Sequence, residues 1–188
     1  MTLPNKLTIM RILFIPLIVV VYYIPVLQDN FIFATMTYSM FINVILFCLA
    51  ALTDFFDGYL ARKNNQITTF GKFADPLADK MLVFTAMLLF VAAGTIPVFV
   101  AIIIICREFM VSGIRLVAVG DGDVIAASKL GKYKTATTMF ALIFYFFYGI
   151  NTPVDVIAQI LLYISLALTV ISGIDYFYKN RKTLLKSM

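Results

Sequence analysis

Apolar residues run through the chain in six long stretches, roughly 7–27, 33–60, 73–93, 97–119, 132–150 and 154–177. Polar punctuation separates them: Gln28-Asp29-Asn30, the stretch 63–69, the turn 94–97, Gly120-Asp121-Gly122-Asp123 and Asn151-Thr152-Pro153. Each stretch holds about the 20 residues that a helix needs to cross a bilayer. The pattern predicts an all-α integral membrane protein of six transmembrane helices, built as one domain over residues 1–188. Six spans use nearly all of the chain, so no soluble domain is expected. The first stretch has no plausible cleavage site after it and is read as a retained span rather than a removed signal.

The second stretch is too long for lipid alone. As one helix, residues 33–60 would extend about 42 Å against a hydrocarbon core of about 30 Å. Its last turns must then leave the membrane, and those turns carry Asp54 and Asp57. The third stretch opens at a comparable depth with Asp75 and Asp79.

Charge supplies the orientation. With six spans, both termini share a side with the loops after the second and fourth stretches. Every Lys and Arg except Arg107 falls on that side or on the adjoining helix ends, and the three opposite loops hold none. The positive-inside rule places both termini in the cytoplasm. Composition agrees: 62% of residues are hydrophobic and 13% charged, against roughly 25% charged in a soluble domain. The net charge of +5 therefore reflects membrane topology, and no nucleic-acid partner is expected. With no His, imidazole is excluded as base, nucleophile or metal ligand. With no Trp, anchoring at the membrane interface falls to Tyr and Phe. Cys48 and Cys106 sit in separate apolar stretches and are read as small core residues rather than a disulfide.

The candidate chemistry lies between residues 54 and 79. Asp54, Asp57, Gly58, Ala61, Arg62, Gly71, Asp75 and Asp79 form the spacing D-x2-D-G-x2-A-R-x8-G-x3-D-x3-D. Residues three and four apart share a helix face, so each aspartate pair points one way, and two neighbouring antiparallel helices bring the pairs together. Such a cluster offers hard oxygen ligands to Mg²⁺ or Mn²⁺. Two divalent ions would neutralise four like charges and leave positions open for phosphate oxygens.

This eight-residue pattern matches the signature of the CDP-alcohol phosphotransferases without departure, and the six-span plan resembles that family over the whole chain. The resemblance implies a transferase acting on CDP-diacylglycerol at the cytoplasmic face of the cell membrane, with membrane lipid around it. It implies that Asp54, Asp57, Asp75 and Asp79 hold metal and that Asp79 is also the general base. Gly58 would let the nucleotide approach the helix backbone, and Arg62 would take the diphosphate through its forked donors. Ala61 and Gly71 are read as close-packing positions, and Pro76 as a proline in the first turns of its helix, where a missing N–H costs little. Asn5, Thr8 and Arg11 resemble the amino-terminal element that helps hold the nucleotide; a helix cap with a snorkelling anchor is the other reading. Thr68 occupies a nucleotide-contacting position of related enzymes or is an ordinary loop hydroxyl. The family also implies a homodimer.

One further group falls in the fourth stretch. A helix starting at Pro97 carries Arg107 about 15 Å in, near the bilayer middle, and an intramembrane Arg is a functional candidate. Glu108 follows it, although adjacent helix positions do not face each other. Arg115 is eight residues on, about 80° around the helix, and Lys132 and Lys134 open the fifth stretch. These cations suit a substrate phosphate better than simple anchoring. Residues 107–115 and 129–135 resemble the branch of the family that makes phosphatidylglycerophosphate from CDP-diacylglycerol and glycerol 3-phosphate. Inositol phosphate and serine are the alternative acceptors. A divalent-cation or proton-coupled transporter is the alternative class, though it would place carboxylates at mid-depth on both halves of the chain.

Overall fold

The computed structural model describes residues 3–63, 69–120 and 129–186. The side chains at 3–4, 54–63, 69–70, 72–73, 117, 119–120, 129 and 182–186 fall outside that description. Among the described residues six long helices make up the bundle: α1 (Leu3–Tyr23), α3 (Tyr38–Lys63), α4 (Thr69–Ala92), α5 (Val98–Gly120), α6 (Lys129–Phe146) and α7 (Thr152–Lys186). The short α2 (Pro25–Asp29) and a hairpin of β1 (Phe31–Phe33) and β2 (Met36–Thr37) link α1 to α3.

Local chemistry explains the breaks. Pro25 bars a helical Ile24, and Ile24 is extended at φ −75°, ψ 113°. The hairpin corrects the purely α expectation: Phe31 pairs with Thr37 and Phe33 with Met36, turning through Ala34 at φ 46°. Thr37 caps α3 by accepting from the Met40 amide at 3.2 Å. Asn151 caps α7 by accepting from the Val154 amide at 3.0 Å. Pro76 stands seven residues past the start of α4, in the helix interior and not its first turns, because the helix starts four residues before the apolar stretch does.

The core joins α1, α3, α4, α5, α6 and α7. Ile18, Phe47, Leu82, Met87, Ile104, Leu142 and Leu162 are at most 1% exposed. Phe90 and Phe146 meet edge to face at 4.8 Å between ring centroids, a favourable arrangement for two quadrupoles. Small residues allow close approach where helices cross, as lipid-embedded packing requires. Ala50 on α3, Ala74 and Ala78 on α4, Ala141 on α6 and Ala158 on α7 are all buried.

Outward faces are apolar instead of polar. Leu13, Leu49, Leu88, Ile102, Phe140 and Ile160 are exposed, and mean hydropathy is +0.98. Two described segments, Asn5–Tyr23 and Thr152–Arg181, are long and apolar enough to cross a membrane by themselves. The molecule is a helical membrane protein. Cys106 shares the outward face of α5 with Ile102, Ile103, Phe109 and Met110 and is exposed, which corrects its assignment to the core; Cys48 is half-buried. Both thiols are free.

Candidate active site

The carboxylates of α4 are gripped by α1. Thr8 donates its hydroxyl to Asp75 Oδ1 at 2.5 Å, and Arg11 Nη1 donates to Asp79 Oδ1 at 2.7 Å. Arg11 Nε also donates to the Ala50 carbonyl of α3 at 3.3 Å, so one guanidinium ties α1, α3 and α4 together. Ala74 and Ala78, beside the two aspartates, are small enough for α1 to come this close. Thr8 is 1% exposed and Arg11 0%. A snorkelling Arg would be exposed, so that reading of Arg11 is set aside.

Asp54, Asp57, Gly58 and Arg62 lie in the helical backbone of α3, and their side chains are outside the described residues, as is Thr68 altogether. Ala61 is likewise known only as helical backbone, whereas Gly71 is buried in the first turn of α4. Asn5 is half-buried, one turn before Thr8 on α1. Asp75 Oδ2 has no hydrogen-bond partner among the described residues, and Oδ1 accepts from a neutral hydroxyl. The donor set present, oxygen-only and anionic, suits a hard divalent ion.

A second cluster lies between α5, α6 and α7. Glu108 Oε1 accepts from Arg107 Nη1 at 2.9 Å and from Lys134 Nζ at 2.7 Å. The three side chains are 15%, 12% and 4% exposed, so the network is largely screened from solvent. Adjacent helix positions do not face each other, yet Arg107 and Glu108 meet because two long side chains fold back across the same turn. Arg107 Nη2 donates to Ser172 Oγ at 2.9 Å, and Arg115 Nε donates to the Tyr176 hydroxyl at 3.1 Å. Both arginines therefore face α7, as their 80° separation allows. Lys132 is exposed whereas Lys134 is buried, since residues two apart take opposite sides of a helix. The structure brings Arg107 and Lys134 together with Arg115 one helical stretch away, and leaves Lys132 at the rim.

The two clusters are joined. Lys80, next to Asp79, donates to Ser112 Oγ on α5, and Ser112 donates in turn to the Glu108 carbonyl at 2.6 Å. Lys80, Ser112, Ser172 and Tyr176 were not singled out from sequence. A readable signal did exist for α7: Ser165, Thr169, Ser172 and Tyr176 recur three and four apart within an apolar run.

Carboxylates on α4 held by α1 thus stand beside a shielded cluster of two arginines, a lysine and a glutamate. The chain belongs to the CDP-alcohol phosphatidyltransferase family, whose model matches residues 1–171. It is similar over nearly its full length to proteins named CDP-diacylglycerol–glycerol-3-phosphate 3-phosphatidyltransferase. That of Bacillus subtilis is 39% identical, covering 98% of each chain. That of Rickettsia felis is 37% identical over 96% of each. That of Haemophilus influenzae is 38% identical over 99% of this chain and 97% of its own. Membership makes this chain a transferase of phospholipid biosynthesis.

Proposed function

We propose that this chain transfers the phosphatidyl group of CDP-diacylglycerol to glycerol 3-phosphate, yielding phosphatidylglycerophosphate and CMP. The observation that carries the acceptor is Arg107. Glu108 and Ser172 take its two terminal nitrogens, and its Nε is buried with no hydrogen-bond partner among the described residues. A buried charged donor without a partner is costly, and an incoming phosphate oxygen would relieve it. Serine, nearly neutral overall, gives no reason for the cations Arg107, Arg115 and Lys134. The names of the relatives point to the same acceptor.

Asp79 is the proposed base and Arg11 its orienting partner. Asp79 takes the proton of the acceptor hydroxyl, the resulting alkoxide attacks the β-phosphorus of CDP-diacylglycerol, and CMP leaves. Arg62 and Gly58, with Asn5, Thr8 and Thr68 at the amino-terminal and loop ends, are the proposed nucleotide and diphosphate contacts. Asp54, Asp57, Asp75 and Asp79 would hold Mg²⁺ or Mn²⁺, in two ions on the family pattern. Bound metal would neutralise the diphosphate and stabilise the leaving oxygen. Lys132 would serve as a rim cation that draws the acceptor in.

The proposed setting is one domain of six spans in the cell membrane, with both termini and the active site at the cytoplasmic face. Basic residues confined to one set of loops support that orientation, and apolar outward faces on the helices support the spans. A homodimer is proposed on family grounds. The test supplies glycerol 3-phosphate, inositol phosphate and serine separately to purified protein with CDP-diacylglycerol and identifies the lipid formed. Phosphatidylglycerophosphate with release of CMP is expected; phosphatidylserine alone would overturn the assignment.

A further inference from the structure

Among the described residues the last helix contributes no charged group to either cluster, yet one of its faces meets Arg107 and Arg115. Ser165, Thr169, Ser172, Gly173 and Tyr176 fall within about 100° of one another on a helix of 3.6 residues per turn. Apart from half-buried Gly173, all are buried: Ser165, Thr169 and Ser172 are 0% exposed and Tyr176 3%. Each makes a polar or close contact. Ser165 shares a hydrogen bond with Thr138 at 2.5 Å, and Thr138 donates to the backbone carbonyl of Lys134 at 2.8 Å. Ser172 donates to the Thr169 carbonyl at 3.2 Å, which turns its lone pairs toward Arg107 Nη2. Tyr176 accepts from Arg115 Nε, and the Arg115 guanidinium carbon lies 5.6 Å from the centre of its ring. At Gly173 the missing side chain matters. A Cβ there would stand 3.2 Å from Arg107 Cγ and 3.8 Å from Arg107 Nε, the donor left without a partner.

From this arrangement we infer that Ser172, Gly173 and Tyr176 are positioning residues for the acceptor phosphate. They aim Arg107 and Arg115, and the missing side chain at 173 leaves the Arg107 stem room to present Nε to a phosphate oxygen. The choice of neutral partners has a physical consequence. A carboxylate at 172 or 176 would hold an arginine as firmly but would cancel the charge meant for substrate. A hydroxyl orients the guanidinium and leaves its charge available. Among the described residues Glu108 is the one carboxylate bonded to Arg107 and Lys134, and with Arg115 and Lys80 close by the cluster keeps a net positive charge for a phosphate monoester. This inference rests on the proposed glycerol 3-phosphate pocket and extends it to a helix outside the aspartate motif.

The test is steady-state kinetics on the full-length protein in lipid nanodiscs, varying glycerol 3-phosphate at saturating CDP-diacylglycerol and the reverse. Ser172→Ala and Gly173→Ala should each raise KM for glycerol 3-phosphate roughly 3- to 10-fold, the range set by one net hydrogen bond. KM for CDP-diacylglycerol and the thermal midpoint should stay near wild type. Ser172→Thr, which keeps the acceptor oxygen and the bond back to its own helix, should restore most of the loss. Tyr176→Phe removes one oxygen and keeps the ring, and should shift the same KM by a smaller factor. Ser172→Ala should add little to Arg107→Ala, since both act on one contact. If Arg107→Ala leaves KM for glycerol 3-phosphate unchanged, the pocket itself is misassigned. If Arg107→Ala raises it while Ser172→Ala and Gly173→Ala do not, the role of α7 alone is overturned. Equal rises in both KM values with a lowered midpoint would make α7 mere packing and overturn it too. Should Ser172→Ala fail to fold, Tyr176→Phe and Gly173→Ala decide the matter by the same split.

Discussion

Arg11 joins three helices at the aspartate site, so its replacement tests how the site is held. The perturbation is Arg11→Gln, which keeps part of the stem and a hydrogen-bonding end but removes the charge. The bonds lost include the 2.7 Å contact to Asp79 and the longer 3.3 Å contact to the Ala50 carbonyl. Removing one member of a buried ion pair costs about 3–5 kcal/mol. Arg11 is fully buried but Asp79 is 33% exposed, and water around that carboxylate offsets part of the loss. A net cost of about 2–3 kcal/mol follows from these two limits. For a chain of this size 1 kcal/mol moves the midpoint by about 2–4 °C, so a fall of about 4–12 °C is expected.

Turnover should fall as well, because Asp79 loses the group that aims it. A misplacement of about 1 Å at a reacting group can cost about 100-fold. Arg11→Lys separates charge from geometry. A lysine keeps the positive end but has no fork, and it cannot reach both Asp79 and the Ala50 carbonyl at once. It should therefore fall between wild type and Arg11→Gln in both stability and rate. The assay pairs thermal unfolding in detergent with CMP release from CDP-diacylglycerol. Wild-type values for Arg11→Gln in both measurements would refute the reasoning and return Arg11 to a topological anchor.

Three other outcomes are expected. Asp79→Asn should retain CDP-diacylglycerol binding while turnover falls about 10²- to 10⁴-fold, the usual cost of losing a general base; substantial residual turnover would assign the proton to another group. Chelation should abolish CMP release and added Mg²⁺ restore it, with Asp54→Asn, Asp57→Asn and Asp75→Asn each lowering turnover by orders of magnitude in a folded protein; full activity after thorough chelation would rule the metal out. Glu108→Gln leaves Arg107 and Lys134 buried without their shared carboxylate, so its midpoint should drop and inorganic phosphate should recover part of the drop. A midpoint indifferent to phosphate would mean that the cluster does not receive an anion.

Where sequence and structure part, the causes are specific. Hydropathy marks where lipid begins and ends, which differs from where a helix begins and ends. The apolar run stops at 177, yet α7 continues to Lys186 through charged and polar residues. Lys179 pairs with Asp175 one turn back at 2.8 Å, the kind of local support that a solvated helix end uses. The same distinction moves the start of α4 to Thr69 and puts Pro76 in a helix interior. The hairpin was hidden for a related reason. Phe31, Ile32 and Phe33 are as apolar as the span that follows, and only their backbone pairing with β2 sets them apart.

The site divides along the same line between local and distant information. The aspartate spacing could be read as a motif because its members sit one turn apart on two consecutive predicted helices, although the side chains of Asp54 and Asp57 lie outside the described residues. Arg11 and Asp79 are 68 residues apart and Thr8 and Asp75 are 67 apart, and no spacing rule reports which helix a first span packs against. Arg107 could be flagged from its place in an apolar stretch, but its partner Ser172 lies on α7, 65 residues on. What sequence did carry was the recurrence of hydroxyls through the final span. A hydroxyl in lipid needs a partner, and its own helix backbone supplies one at little cost. Single Ser or Thr residues therefore carry no message, and Thr169 is satisfied this way through the Ser165 carbonyl. Repetition on one face is different. The stripe from Ser165 to Tyr176 bonds outward to Thr138 on α6 and to Arg107 and Arg115 on α5. Sequence holds the stripe and Arg107 as separate facts, and the structure pairs them through Ser172.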